Sequence, residues 1–112
     1  MSDFQIKQND TRPGLSVTLL EGTNPIDLTN VEEVNIILRE KSKTDVDGPD
    51  LKALCDIDAD PTSGKVSYSW KASDTETSGE FSCEFELTYT DGGIETVPRS
   101  GFISIAIEDD LG

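Results

Sequence analysis

The sequence predicts an all-β fold: a two-sheet antiparallel sandwich of about seven strands, with a small barrel as the alternative. Three observations carry this. Apolar and polar residues alternate at period two through most of the chain, which puts one face of each strand on a core. Clusters rich in Gly, Pro, Asn and Asp separate the alternating runs at short intervals. No segment offers an apolar i, i+3, i+4, i+7 stripe long enough for a helix.

The elements follow in order. Leu15, Val17 and Leu19 alternate with Ser16 and Thr18. Val34, Ile36 and Leu38 form the next run, and Ala53, Cys55 and Ile57 the one after it. Val66, Tyr68 and Trp70 alternate with Ser67 and Ser69. The strongest run is Phe81, Cys83, Phe85, Leu87 and Tyr89 against Ser82, Glu84, Glu86 and Thr88, and Ile103, Ile105 and Ile107 close the set. Asp91-Gly92 between Tyr89 and Ile94 predicts a hairpin turn. Lys41 to Asp50 reads as the longest loop, and Ser73 to Gly79 as a short helical turn or strap. Trp70 ends its strand and plugs one end of the core.

A chain of 112 residues fits one domain, 1–112, with no linker, repeat or low-complexity tract. Nine Lys and Arg against 23 Asp and Glu give a net charge of −14. That balance excludes sequence-independent nucleic-acid binding, which needs cations to replace phosphate counterions, and docking on anionic lipid. Histidine is absent, so His-based triads and His metal ligands are excluded. The start, Met1 to Lys7, lacks a basic cluster followed by an apolar stretch, and no apolar run approaches a membrane span. Synthesis and assembly in a cytoplasm are expected.

Few residues suggest chemistry. Asp56, Asp58 and Asp60 have the spacing that opens a calcium loop. The template's sixth and twelfth positions, Gly and Glu, are here Pro61 and Ser67. A solvated strand face is therefore the favoured reading, with weak divalent-cation binding as the alternative. Cys55 and Cys83 read as two buried thiols in a reducing compartment or as one disulfide. No serine has an activating His or sits in a Gly-x-Ser-x-Gly elbow, and no phosphate-cradling glycine motif occurs. The expectation is no enzyme, with no catalytic, cofactor-binding or metal-binding residue. Phe4, Tyr89 and Phe102 are the candidate aromatics for a carbohydrate-binding module, although core packing suits each of them better.

Charge placement is more informative. Ala72 to Pro98 carries seven acids, including Glu80, Glu84 and Glu86, and no base. Arg39, Lys41, Lys43 and Lys52 gather four of the nine cations around one loop. The sharper expectation is a charge-asymmetric module, acidic on one sheet and mixed on another edge, that docks on a neighbour in fixed orientation. The bland one is solubility. Partner-binding residues stay unknown: the sheet edges, the arm Met1 to Pro13 and the loop Lys41 to Asp50 are equal candidates.

Gly79-Glu80-Phe81-Ser82-Cys83 resembles the opening of strand F in immunoglobulin-like domains, without the tyrosine hydroxyl of that corner. Taken whole, the chain resembles the immunoglobulin-like N-terminal domain of phage baseplate upper proteins and its single-domain relatives among tailed-phage structural proteins. The residues that carry this are Ile6 to Pro13, Leu15 to Leu20, Pro25 to Thr29 and Gly64 to Trp70. They continue through Asp74-Thr75, Gly79 to Phe81, Glu84 to Tyr89, Asp91-Gly92, Glu95 to Pro98 and Phe102. The resemblance implies a virion protein of the tail, baseplate or fibre region that acts as an assembly joint among other phage structural proteins, as a homo-oligomer. Capsid decoration or a head-fibre role is the alternative. The longer relatives continue into a helical linker and a fibre-binding part, whereas this chain stops at Gly112, so a standalone decorating or capping role is expected.

Overall fold

The computed structural model describes residues 3–42 and 48–111. Strands form where the alternation is. In chain order they are β1 (Phe4–Lys7), β2 (Leu15–Thr18), β3 (Leu20–Glu21), β4 (Asn24–Pro25), β5 (Val31–Glu40) and β6 (Leu51–Leu54). After these come β7 (Asp56–Ile57), β8 (Lys65–Tyr68), β9 (Gly79–Tyr89), β10 (Ile94–Val97) and β11 (Ile103–Glu108). Two single 3-10 turns, Pro61–Ser63 and Ala72–Thr75, are the helical segments among the described residues.

The large sheet runs β1-β11-β9-β5-β6, with β10 also on β9. A smaller sheet runs β2-β8-β7, and β3 and β4 form a separate ribbon. The long strands β5 and β9 form the centre of the large sheet because they carry the longest alternation, and Ile36 pairs with Phe85 and Leu38 with Cys83. Their inward side chains, Val34, Ile36, Leu38, Phe81, Cys83, Phe85 and Leu87, are all buried. Leu15, Val66, Tyr68 and Trp70 join the same core, with Leu19, Ile26 and Leu28.

The chain changes sheet at Cys55, between β6 at the edge of one sheet and β7 at the edge of the other. The Cys55 N–H donates to the Val34 carbonyl at 2.8 Å, which keeps that crossing hydrogen-bonded. At the hairpin, Tyr89 N–H donates to Gly93 O and Gly92 N–H to Tyr89 O, while Asp91 Oδ1 accepts from Gly93 N. Gly64 ends the Pro61–Ser63 turn at φ +70° with its α-carbon close against Leu19 and Ile26. A side chain there would meet the Leu19 carbonyl oxygen at 2.9 Å.

Three expectations are corrected. The large sheet is mixed rather than antiparallel: β1 runs parallel to β11, with Ile6 opposite Ile107. As the first strand, β1 has no preceding strand to fold back from, so no hairpin fixes its direction. The described residues hold eleven strand segments instead of about seven, because switching between sheets breaks long runs into two-residue pieces. Residues 4–7 of the expected N-terminal arm are a sheet strand, held by Asp3 N–H to Ser104 O and Gln8 N–H to Glu108 O. The Lys41–Asp50 loop is closed at its base by Asp50 N–H to Leu38 O and Glu40 N–H to Asp50 Oδ2; residues 43–47, with Lys43, lie outside the described residues.

Candidate interaction surface

The large sheet has one face on the core and one outside, and the outer face collects the charges and apolar groups of functional interest. Direct register partners point to the same side, so Lys52 (β6), Ile37 (β5) and Glu84 (β9) form a row. Leu54, Asn35, Glu86 and Thr96 form the next row. Phe102 extends the first row beyond β9. A shallow groove of about 350 Å³ lies here, lined by Ile37, Arg39, Pro49, Lys52, Glu84 and Phe102 among others. Lys41 Nζ stands 5.5 Å from the centre of the Phe102 ring and donates to Ser104 Oγ at 2.8 Å.

The acids Glu80, Glu84 and Glu86 share this face, as the alternation predicts. The expected contrast of an acidic sheet with a mixed edge gives way to a mixed face at the middle of the large sheet. Pairing of β5 with both β6 and β9 interleaves the two signs, giving Lys52–Glu86 at 3.3 Å and Lys41–Glu80 at 3.9 Å. Such half-exposed pairs are worth about 0–1 kcal/mol each, so they order side chains more than they stabilise the fold.

Apolar groups on this face were the feature that alternation alone hides. Leu54 is 60% exposed, Ile94 66% and Phe102 51%, and Ile37 is half-buried in the groove floor. Their signal in the sequence is a break of phase: Ile37 sits between Ile36 and Leu38, and Leu54 between Ala53 and Cys55, in positions that the pattern reserves for polar residues.

The other candidates have local structural work. Asp60 caps the Pro61–Ser63 turn, its Oδ1 accepting from Thr62 N–H and from the Thr62 hydroxyl at 2.6 Å. Asp58 Oδ2 accepts from Asp60 N–H at 3.1 Å. Asp56, Asp58 and Asp60 are exposed, and no cluster able to hold a metal ion occurs among the described residues. Cys55 and Cys83 are free thiols, and burial pushes both up to about 12. Phe4 stacks on Trp70 with ring centres 6.0 Å apart, and Tyr68 meets Trp70 edge-on at 5.2 Å. Trp70 is buried as expected.

Tyr89 is anchored by its hydroxyl, which donates to Glu95 Oε1 at 2.6 Å; that bond, then burial, pushes the phenol up to about 12. Tyr68 donates to Asp74 Oδ2 at 2.6 Å, and the same carboxylate oxygen accepts from Lys71 N–H. Of the three aromatics considered for sugar binding, Phe102 alone is exposed, with Lys41 over its ring, whereas Phe4 and Tyr89 are half-buried.

No helix among the described residues is long and apolar enough to cross a membrane. The sequence matches the family model of the BppU N-terminal domain over residues 2–111. The chain belongs to that family. A search of curated proteins found no match. Membership in the BppU N-terminal domain family makes this a structural protein of the phage baseplate, and so of the virion, that interacts with other phage structural proteins. The all-β architecture agrees with what the resemblance implies about fold.

Proposed function

We propose that this protein is a non-enzymatic assembly joint of the tail baseplate, residues 1–112 acting as one immunoglobulin-like domain that grips neighbouring structural proteins and assembles as a homo-oligomer. The observation that carries the reading is the outer face of the large sheet. It presents Ile37, Leu54, Ile94 and Phe102 between ordered ion pairs, the mixture of apolar anchors and polar rim that protein interfaces use. The described residues supply no activated nucleophile to set against it. Both thiols are held protonated by burial, and the Asp56–Asp60 carboxylates are engaged in turns or solvated.

Immunogold labelling of purified particles tests this. Gold at the tail tip is expected; gold on heads would favour capsid decoration, and particles without label would defeat the proposal.

A further inference from the structure

The middle of the outer face differs in charge from the rest of the molecule. Arg39, Lys41 and Lys52 stand among Glu80, Glu84 and Glu86, three cations with three acids. The remaining sequence has six cations and twenty acids, so it carries the entire net charge of −14. Two copies of so acidic a chain repel across most surfaces. The neutral region is also where Ile37, Leu54 and Phe102 emerge, so the cost of approach is lowest where the apolar gain is largest.

We propose that two copies of this chain dock through these outer faces, about a two-fold axis parallel to the strands and running between β5 and β9. Such an axis sets the β9 column of each copy over the β5 column of the other, and the β6 column over β11. Glu84 and Glu86 then lie within side-chain reach of Arg39 and Lys52 across the interface. In the row Lys52, Ile37, Glu84, Phe102, the Lys52 ammonium faces the ring of Phe102, repeating across the interface the contact that Lys41 makes within one copy. A two-fold axis perpendicular to the strands would stack the β9 acids on themselves, so charge complementarity selects the first arrangement.

The area fits a weak pair. The outer strands are only four to six residues long, so at about 3.3 Å per residue and about 4.8 Å between strands the sheet offers a face of about 600 Å². Two such faces reach the low end of specific interfaces, about 1,200 Å² in total.

This pairing rests on the proposed self-association of the joint, and its test is separable from the tail-tip labelling above. Sedimentation velocity of the full chain over a concentration series in about 0.15 M salt should show a dimer. Glu84→Arg or Arg39→Glu alone should weaken it about tenfold or more, and the double reversal should restore it to within a few-fold of the original. Leu54→Asp, at an exposed position that the fold does not need, should also weaken it if a charge reversal disturbs folding. A chain that stays monomeric throughout overturns the proposal but leaves the baseplate location standing. A dimer indifferent to these changes overturns this face while leaving self-association intact.

Discussion

Gly64 is the residue at which backbone and packing constrain the sequence most tightly. Its φ of +70° is a left-handed conformation that costs a side-chain-bearing residue about 1–2 kcal/mol. The Leu19 and Ile26 backbones also leave no room for a methyl group. Gly64→Ala should therefore destabilise by about 2 kcal/mol or more, read from urea melts. Thr75 is the other special position. Fully buried, its hydroxyl donates to Asp10 O at 2.9 Å, and its carbonyl accepts from Asn9 N–H. Thr75→Val would leave the Asp10 carbonyl without that donor and should cost about 1–3 kcal/mol.

Titration belongs to the same scale. Tyr89 rises from an ordinary 10 to about 12, and Cys55 and Cys83 from 9 to about 12. A group that holds its proton more tightly when folded adds stability below its unfolded value, and that stability fades as pH rises through the folded value. Stability should thus be steady at neutral pH and fall between pH 9 and 12. Denaturant melts across that range check it, and a stability that rose there would contradict the assignment. Both thiols should also react slowly with a thiol reagent near neutral pH until the chain is unfolded.

Among the elements, β5 and β9 organise the rest. Phe85 lies opposite Ile36 on one side and Val97 on the other, and is fully buried. Phe85→Ala should cost about 3–5 kcal/mol in the same melts. These strands were legible in the sequence because each keeps one face apolar over several consecutive pairs, and the Asp91-Gly92 turn was legible because its chemistry is local. β1 was not. Its four residues are too short for periodicity to register, and its parallel partner β11 lies a hundred residues away. β3, β4 and β7 are two residues long and exist through their neighbours, not through their own pattern.

At the scale of the whole molecule, composition excluded more than it identified, and the surface explains why. Counting charges along the chain separates an acidic stretch from a basic loop. Strand pairing then brings them onto one face, and no linear count can show that. The outward apolar residues were half legible, as breaks of phase at Ile37 and Leu54, whereas Phe102 lies outside any strand. What results is an acidic body with one neutral, partly apolar face, and the proposed joint role rests on that face.

Stepwise disassembly of purified particles, with quantitative mass spectrometry of the head and tail fractions, tests that claim most directly. The protein should follow the tail fraction at a fixed whole-number ratio to other baseplate components. Recovery with the heads, or at a ratio that varies between preparations, would contradict it.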